Sequence, residues 1–313
     1  MTNHINYFCT ITTNSYLLKA LALYESMCIH TDNNFHIWIC TIDELAYDLL
    51  IKLNLHHASI IEVGALESES LLEAKNNRYV NEYCWTIKAS LVKLILKQHN
   101  YIDSILYLDS DTFMYSNPDS FFDSLKKNDV LLTSHNFTSV VDYSTRQKGL
   151  YNAGIVGFKN SRNALRILNW WENRCIEWCY NEIQPNRFGD QKYLETIKNK
   201  HSKTAVIESV GGNAAMWNIE YCDIKKLDNK VYINNDILIF FHFCIFFIIN
   251  ENEFELWECI CPKLENSAMQ LIFIPYVQAI KNAINQVKKY ETDISLFLSG
   301  KNNSGTFYNY LKL

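Results

Sequence analysis

The sequence of 313 residues lacks the marks of several protein classes. Lys and Arg total 29 against 34 Asp and Glu, and a net charge of −5 offers no basic surface for a nucleic-acid backbone. The longest apolar run, residues 237–249, is interrupted by His242 and is shorter than the roughly 20 residues that a membrane-spanning helix needs. The first thirty residues lack the basic start, apolar stretch and small-residue cleavage site of a secretion signal. We therefore expect a cytoplasmic protein with no nucleic-acid partner and no transmembrane segment.

Cysteine pairs and domain-linking segments are also missing. None of the ten cysteines forms a Cys-x-x-Cys pair, and most lie in apolar stretches such as Phe8-Cys9 and Ile39-Cys40. Reduced cysteines that pack as small hydrophobic side chains are therefore favoured over a disulfide framework or a zinc site. The chain has no internal repeat, low-complexity tract or proline-rich linker, so nothing indicates a hinge between independent domains.

What the first 250 residues do contain is an alternation of short apolar stretches and amphipathic stretches. This order is typical of a mostly parallel sheet flanked by helices, so the predicted fold class is α/β. Helices are predicted from about Ser15, over 44–53 and 86–97, and after Ser161 as N-cap. Strands are predicted over residues 7–12, 36–41, 60–63, 104–108, 130–133, 155–158, 205–207 and 237–243.

The chain changes character after about residue 250, where the strand pattern stops. Residues 268–289 form an amphipathic helical pattern, and a polar stretch of Gly, Asn and Ser follows over 299–305. We expect a main domain over residues 1–248 and a C-terminal helical extension over 249–313 that packs on it. The aromatic content of this extension makes it a candidate surface for homodimerisation or peripheral membrane contact, although ordinary packing is the more common use.

Two carboxylates lie where a predicted strand ends, in the segment Ser104-Ile-Leu-Tyr-Leu-Asp109-Ser-Asp111. Ligands of open α/β sheets bind beyond the carboxyl ends of the strands, and two carboxylates at the end of a buried strand need a cation or solvent. A divalent cation that bridges them to the phosphates of a ligand balances both sets of charges. The alternative is a solvated loop rich in Asp and Ser.

His242 lies in the middle of the strongly apolar segment 239–247. A single histidine among aromatic residues is usually a hydrogen-bonded core residue. If its strand lies beside the two carboxylates, however, the imidazole completes a mixed nitrogen and oxygen ligand set that suits ions like manganese. The sequence alone does not decide between these two interpretations.

Four further segments carry polar groups that could serve a ligand. Tyr151-Asn-Ala-Gly154 opens a predicted strand with a small residue, where the backbone could approach a ligand closely. Gly189-Asp-Gln191 is predicted to begin a helix, where the carboxylate is either functional or an N-cap. The loop 211–218 contains an exposed aromatic residue and two amides, and Lys88 lies on the helix before the two-carboxylate strand, where most lysines face solvent.

Taken in order, these segments resemble the GT-A nucleotide-diphospho-sugar transferases, in particular bacterial proteins similar to the family 8 glycosyltransferases. The resemblance covers roughly residues 5–245 and depends on the order and spacing of several modest motifs rather than on any one of them. It implies a Rossmann-like GT-A sheet and a glycosyltransferase. The motifs are Cys84-x-Thr86-x-Lys88, Tyr107-Leu-Asp109-Ser-Asp111, Tyr151-Asn152-Ala-Gly154, Asp190-Gln191, Asn213-Ala-Ala-Met-Trp217-Asn218 and Phe240-Phe-His242-Phe.

The resemblance also implies roles for individual residues. Asp109 and Asp111 would hold Mn²⁺ or Mg²⁺ on the donor diphosphate, with His242 as the third ligand, and Asp109 would also contact the donor ribose. Asp190 and Gln191 would serve catalysis beside the donor sugar. Donor contacts are further expected from Thr12, Tyr16, Lys88, Asn152, Gly154, Asn213 and Trp217.

The reaction that the resemblance implies moves a hexosyl group from a nucleoside diphosphate sugar, with UDP as the favoured nucleotide, to a hydroxyl of a saccharide or lipid-linked acceptor. Family 8 enzymes retain the anomeric configuration, so retention is expected. No carboxylate stands out as a covalent nucleophile, and a same-face mechanism with the leaving phosphate as base would fit. The relatives suggest a place in bacterial surface polysaccharide synthesis, at the cytoplasmic face of the inner membrane.

One departure from the family pattern keeps an alternative open. Relatives commonly follow the histidine with a small residue and glycine, and some carry a downstream lysine, whereas this strand is expected to continue through Cys244-Ile-Phe-Phe247. A nucleotide-sugar-binding protein with a degraded, inactive site is therefore one alternative. A haloacid-dehalogenase-type phosphatase is another, although Phe113 stands where its motif usually has Thr or Val and the motif normally lies earlier in the chain.

Overall fold

Strands and helices alternate along most of residues 5–139, 141, 143–258, 264–298 and 308–313, which the computed structural model describes. The strands are β1 Asn6–Thr12, β2 Phe35–Thr41, β3 Ala58–Glu62, β4 Ser104–Leu108, β5 Thr112–Met114, β6 Val130–Ser134, β7 Tyr151–Lys159, β8 Thr204–Ile207, β9 Ile224–Leu227, β10 Lys230–Ile233, β11 Asp236–Ile237, β12 Phe240–His242, β13 Phe247–Asn250, β14 Glu253–Glu255 and β15 Tyr310–Lys312. The helices are α1 Leu17–His30, α2 Glu44–Leu53, α3 Glu69–Asn76, α4 Val80–Gln98, α5 Asp119–Lys127, α6 Tyr143–Arg146, α7 Arg162–Glu177, α8 Tyr193–Lys200, α9 Asn266–Ala268 and α10 Ile274–Val287. A π-helical turn, Met269–Phe273, joins the last two.

Seven of the described strands form a central sheet in the order β3-β2-β1-β4-β7-β6-β8. Neighbouring strands are parallel except at β7, which runs antiparallel to both β4 and β6. The predicted α/β class, with a mostly parallel sheet flanked by helices, is confirmed. Because β7 is reversed, its amino end lies at the same edge as the carboxyl ends of β1, β4 and β6, where ligands of such sheets bind.

Two hydrophobic cores lie on the two faces of this sheet, since side chains alternate between the faces along each strand. On one face, Phe8 and Leu106 pack with side chains of α1, α2, α5 and α10. On the other face, Cys9 and Ile105 pack with side chains of α3, α4, α7 and α8. Cys9 and Cys175 are buried free thiols of the second core, as predicted for structural cysteines.

Local capping explains where the helices begin. Asp43 accepts a hydrogen bond from the Ala46 amide at the start of α2, and Ser161 caps α7 as predicted. Helix α4 begins at Val80 rather than at Thr86, because the Glu82 side chain accepts a bond from the Tyr79 amide and stabilises an earlier first turn. The predicted start of this helix is therefore wrong.

The predicted strand over residues 237–243 is also wrong, because the segment breaks into β11 and β12 and joins neither to the central sheet. β11 pairs with β10, whereas β12 pairs antiparallel with β5. Between them the Ile239 amide donates to the carbonyl of Gly211, and a Cβ at this glycine would lie 2.1 Å from the Ile237 carbonyl oxygen. The loop that crosses at Gly211 thus takes the hydrogen bonds that a continuous strand would use.

The C-terminal part contains the predicted helix, α10, which packs against α1. The expectation that strands stop after residue 250 is wrong, because β13, β14 and β15 form a separate antiparallel sheet. Glu253–Glu255 is too short for a recognisable strand pattern, and its partner lies near residue 310. The polar stretch 299–305 lies outside the described residues. None of the described helices is long and apolar enough to cross a membrane.

Candidate functional site

A cavity of about 950 Å³ opens at the edge of the sheet where the carboxyl ends of β1, β4 and β6 meet the amino end of β7. Residues at these strand ends or just beyond them line the cavity, among them Thr12, Asp109, His135 and Asn152. The cavity is lined by all of the sequence-predicted site residues except Asn213, namely Thr12, Tyr16, Lys88, Asp109, Asp111, Asn152, Gly154, Asp190, Gln191, Trp217 and His242.

A tight turn after β4 orients the two carboxylates. The amide and the hydroxyl of Thr112 donate to the Asp109 carbonyl at 3.0 and 2.8 Å, and the Asp109 amide donates to the Gly154 carbonyl at 2.7 Å. The backbone of this turn is therefore fixed at both ends by hydrogen bonds. Asp111 is buried at 6% exposure, so the solvated-loop alternative does not describe it.

His242 reaches the carboxylates on a two-stranded ribbon formed by β5 and β12. The register places His242 opposite Thr112, the residue that follows Asp111. Its Nε2 lies 3.2 Å from Oδ1 of Asp111 and 4.0 Å from Oδ2 of Asp109. One ligand atom from each of these residues lies within 4.8 Å of the others, so this triad of Asp109, Asp111 and His242 could hold a metal ion.

Electrostatics couple the members of the triad. Burial alone would raise the pKa of Asp111, but the facing His242, with a smaller contribution from Lys19, lowers it to about 2. Burial alone would lower the pKa of His242, but the two carboxylates more than offset this and raise it. The two carboxylates thus favour a positive charge at this place, and two carboxylate oxygens with an imidazole nitrogen are a ligand set that suits Mn²⁺. The residues present fit a divalent ion.

Lys88 lies beneath the triad and does not face solvent, so the expectation for a typical lysine at its position is wrong. Its side chain is 2% exposed, and its Nζ lies 3.0 Å from carboxylate oxygens of both Asp109 and Asp190. The ammonium also donates to the Ala153 carbonyl at 3.1 Å. Burial disfavours the charge, but the carboxylates of Asp109 and Asp190 raise the pKa of Lys88, so the ammonium stays charged. The hydroxyl of Tyr107 donates to Oδ1 of Asp109 at 2.9 Å, which leaves Oδ2 on the side of His242.

Asp190 and Gln191 lie in a turn and not at the start of a helix, because α8 begins only at Tyr193. Gly189 has a left-handed φ of +48°, which favours glycine and directs the chain away from helix geometry at this point. Asp190 is therefore not an N-cap. Burial raises its pKa, although the neighbouring Lys88 acts in the opposite direction. The Gln191 amide donates to the Lys148 carbonyl at 3.1 Å.

A group of buried amides lies behind His242. Oδ1 of Asn152 accepts hydrogen bonds from the Gly154 amide at 2.9 Å and from Nδ2 of Asn213 at 3.2 Å, and it lies 3.3 Å from Nδ1 of His242. Asn213 itself is 2% exposed and lies behind the cavity wall. The half-buried Trp217 lies with its ring edge-on to His242, at 5.4 Å between centroids.

Thr12 and Tyr16 occupy the opposite wall, at the end of β1 and in the 3₁₀ turn Asn14–Tyr16 that leads into α1. Nζ of Lys19 lies 4.2 Å from the centroid of the Tyr16 ring. Burial is the main reason that the pKa of Tyr16 is raised, and the nearby Asp111 adds to it, so this phenol is neutral.

The segment after His242 does not continue as a strand. The Phe246 amide bonds to the Phe243 carbonyl at 3.3 Å, and the chain turns through Cys244 and Ile245, which line the cavity. None of the residues 243–246 has a positive φ. The glycine common in relatives is therefore not needed for the backbone conformation of this turn.

Sequence reasoning missed several residues that line the cavity. His135 follows β6 directly, as Asp109 follows β4, so the strand-end rule would have selected it. Burial lowers its pKa to about 3 and keeps the imidazole neutral. The others lie on loops or helix starts without a motif: Asn81, Trp85, Phe137, Lys148, Asn181, Phe188 and Trp257.

Trp85, Phe188 and Lys148 form a part of the cavity that we call the aromatic wall. The rings of Trp85 and Phe188 lie 6.4 Å apart between centroids, and Nζ of Lys148 lies 5.4 Å from the Phe188 centroid. Phe188 is separated from Asp190 only by Gly189, whose absent side chain leaves room for the Trp85 ring. The aromatic wall therefore adjoins the buried Asp190.

The sheet order and the paired carboxylates at its edge define an α/β enzyme of the GT-A type. The profile of the nucleotide-diphospho-sugar transferase family matches residues 34–253. The chain therefore belongs to this family and is a glycosyltransferase, a class different from the phosphatase alternative.

Two relatives and two solved structures are similar to this chain over most of its length. YfnD of Bacillus subtilis (strain 168) is 31% identical over 293 residues, which cover 92% of this chain and 93% of YfnD. YfnF of the same strain is 28% identical over 306 residues, covering 95% and 98%. Among solved structures, an active-site mutant of LgtC is similar with a TM-score of 0.53 and 12% identity, over 95% of this chain and 98% of that chain. The glycosyltransferase GlyE of Streptococcus pneumoniae TIGR4 is similar with a TM-score of 0.54 and 13% identity, over 96% of this chain and 66% of that chain.

Proposed function

We propose that this protein transfers a hexosyl group from a nucleoside diphosphate sugar, with UDP as the nucleotide, to a hydroxyl of a saccharide or lipid-linked acceptor. The observation that carries the proposal is the convergence of the triad, from two distant parts of the chain, on one edge of the cavity. A cavity of about 950 Å³ is large enough for a nucleotide sugar. The transfer proceeds with retention of the anomeric configuration.

Asp109, Asp111 and His242 would hold the Mn²⁺ or Mg²⁺ ion. When bound, such an ion neutralises the negative charge that develops on the diphosphate as the anomeric bond breaks. The cavity is otherwise poor in cations at this edge, because the ammonium of Lys88 is already bonded to two carboxylates and a carbonyl. Lys88 in this proposal fixes Asp109 and Asp190 in place and adds a positive field beneath the donor.

Asp190 and Gln191 would lie beside the reacting carbon of the donor sugar. The Lys88 ammonium pairs with both Asp190 and Asp109, so it lies between the Asp190 carboxylate and the proposed metal site. A carboxylate and an amide at this place stabilise the positive charge that develops on the sugar as the bond to phosphate breaks. The leaving phosphate oxygen accepts the proton of the acceptor hydroxyl on the same face.

The other walls of the cavity would bind the base, ribose and sugar of the donor, and the acceptor. Thr12 and Tyr16 contact the base and ribose, Gly154 offers backbone close to the donor, and Trp217 borders the donor sugar. Asn213 supports this wall from behind, and Asn152 joins it to His242. The aromatic wall offers flat apolar rings and one cation, a surface on which the face of an acceptor sugar ring packs.

The proposal includes the wider setting that the resemblance implies. Residues 1–248 would form the catalytic unit and residues 249–313 an extension that packs on it, as α10 packs against α1. The reaction belongs to bacterial surface polysaccharide synthesis at the cytoplasmic face of the inner membrane. Homodimerisation and peripheral membrane contact through the extension stay predictions.

Binding is the first test. The thermal stability of the protein is measured against a panel of nucleotide diphosphate sugars, with and without Mn²⁺. A ligand at 100 times its dissociation constant adds about 2.7 kcal/mol to the stability of the folded state. We expect stabilisation by a UDP-sugar that depends on Mn²⁺. Absence of stabilisation by every nucleotide sugar would contradict the proposal.

Turnover is the second test. With the donor found by binding, Asp111→Asn should lower metal-dependent transfer by about 10²–10³-fold, because one charged ligand of the ion is lost. The matched control is Asp123→Asn, whose carboxylate is exposed on α5 and pairs with Lys126. If the protein binds UDP and Mn²⁺ but transfers no sugar to any acceptor of a panel, the result favours the alternative of an inactive nucleotide-sugar-binding protein. The absence of the glycine after His242 is the reason for this alternative.

A further inference from the structure

We propose that Asn152 is a positioning residue for His242: its side-chain amide fixes the proton of the imidazole on Nδ1 and aims Nε2 at the two carboxylates. The inference rests on the proposed metal site and assigns Asn152 to the imidazole instead of the donor sugar.

The orientation of the Asn152 amide is determined by a backbone group. The amide of Gly154 lies 2.9 Å from the side-chain atom assigned as Oδ1. A backbone N–H can only donate, so the atom that faces it must be the oxygen and the other must be the nitrogen. Nδ2 of Asn213, at 3.2 Å, donates to the same oxygen. If the amide were flipped, the Asn152 nitrogen would face two other donors, the Gly154 amide and Nδ2 of Asn213.

This orientation determines the tautomer of His242. Nδ1 of the ring lies 3.3 Å from Oδ1 of Asn152, which has no proton to give, so the proton must be on Nδ1. Both nitrogens of the metal-free ring therefore face acceptor oxygens, with Nε2 at 3.2 Å from Oδ1 of Asp111, and a metal ion would take the place of the Nε2 proton while Nδ1 keeps its own. This is the form in which an imidazole binds a metal ion, and ligating histidines usually donate their other N–H to such an oxygen.

The far end of the amide agrees with the same orientation. Nδ2 of Asn152 lies 3.2 Å from Nε2 of His135. An amide nitrogen can only donate, so Nε2 of His135 must accept, which requires a neutral ring. Burial lowers the pKa of His135 to about 3, so the ring is neutral at physiological pH.

Glycine at position 154 leaves the space that the ring occupies. A Cβ there would lie 2.5 Å from Cε1 of His242 and 2.6 Å from Oδ1 of Asn152. Three donors, from Gly154, Asn213 and His242, already surround the two lone pairs of the Asn152 oxygen, and its nitrogen is engaged by His135. The side chain therefore has no free acceptor capacity for a sugar hydroxyl.

Metal binding is the first measurement, with Mn²⁺ as the probe and free Mn²⁺ followed by electron paramagnetic resonance, with and without UDP. Asn152→Ala should weaken Mn²⁺ binding by about 10–100-fold, the usual cost of losing a group that orients a ligand. Asn152→Asp should keep at least wild-type affinity, because a carboxylate oxygen still accepts the Nδ1 proton. The matched control, Asn81→Ala, removes an exposed amide of the same cavity and should leave Mn²⁺ affinity unchanged.

The proton on the ring is the second measurement, made by nuclear magnetic resonance on protein with ¹⁵N-labelled histidine, without metal. The Nδ1 proton of His242 should exchange slowly with solvent in the wild type and in Asn152→Asp, where an oxygen accepts it, and should exchange faster in Asn152→Ala, where the acceptor is missing.

Three outcomes overturn the inference: wild-type Mn²⁺ affinity in Asn152→Ala, equal losses in the Ala and Asp variants, or a wild-type His242 whose Nδ1 carries no proton or exchanges it fast. Failure of the wild-type protein to bind Mn²⁺, even with UDP, would instead overturn the metal site of the proposed function. The resonance measurement needs no metal, so it then still decides whether Asn152 positions the ring.

Discussion

The metal triad and the aromatic wall lie in one cavity but are stabilised by different interactions. Around the triad, buried polar atoms are bonded to other protein groups: Asp109 to Tyr107 and Lys88, and His242 to Asp111 and Asn152. In the aromatic wall, two rings and a lysine are in contact without an ion pair among the described residues. The hydrogen bonds and ion pairs hold the triad in one arrangement, and in the proposed function the aromatic wall selects an acceptor by shape and apolar contact.

The largest difference in stability is expected between substitutions of two lysines that line the same cavity, Lys88 and Lys148. Lys88→Met leaves the carboxylates of Asp109 and Asp190 without their cation, so the free energy of unfolding should fall by about 3–5 kcal/mol. Lys148→Met removes only a contact with the Phe188 ring and should cost less than about 1 kcal/mol. Urea denaturation of both variants measures the difference. Equal losses of unfolding free energy would contradict the view that the triad and the aromatic wall are stabilised by different interactions.

Two glycines test how tightly the triad is packed. Gly154→Ala places a methyl group against the His242 ring and should weaken Mn²⁺ binding by about 10–100-fold. The matched control is Gly64→Ala, where a Cβ would meet nothing within 4 Å, and Mn²⁺ affinity should not change. Calorimetric titration with Mn²⁺ compares them. Unchanged affinity in Gly154→Ala would mean that the ring has room to move.

Acid should weaken metal binding through His242 and not through Asp111. The carboxylates raise the pKa of His242, so below that raised value a proton competes with the metal for Nε2, and affinity should fall by about tenfold per pH unit. The pKa of Asp111 is about 2, so its carboxylate stays ionised between pH 5 and 8. Titrations with Mn²⁺ over this range measure the slope. The same slope in a His242→Asn variant would contradict this assignment.

The smallest effect is expected at the aromatic wall. Trp85→Ala should raise the KM for a saccharide acceptor by about three- to tenfold and leave kcat nearly unchanged, because one stacked ring contributes about 0.5–1.5 kcal/mol. Tyr101→Ala, which removes an exposed ring outside the cavity, serves as control. A fall in kcat with unchanged KM would place Trp85 with the reaction centre instead.

The sequence predicts the parts of this molecule that depend on local pattern. Alternating apolar and amphipathic stretches indicate the α/β sheet, and the strand-end rule indicates Asp109 and Asp111. It would also have found His135. These predictions succeed because the side chains at a strand end are placed by the strand itself.

The remaining features depend on contacts between distant segments. The place of His242 requires that β12 pair with β5, and no local signal specifies this pairing. The burial of Lys88 depends on Asp190 reaching it from a loop, and a left-handed φ at Gly189, which sequence does not reveal, shapes that loop. The β14–β15 pairing is missed for the same reason, because short strands are defined by their partners.

The ribbon that carries His242 links the completion of the triad to the progress of protein synthesis. Thr112 and its neighbouring carboxylates leave the ribosome on the order of ten seconds before the imidazole that completes their site. Helix α10, translated later still, and the turn before it pack beside this ribbon: Tyr276 stacks on Phe243 at 3.7 Å between ring centroids, and the Tyr115 hydroxyl donates to the Ile272 carbonyl. A chain that has been synthesised only to residue 241 therefore lacks the third member of the triad, whereas one that ends before residue 276 has the triad without the ring that packs on Phe243.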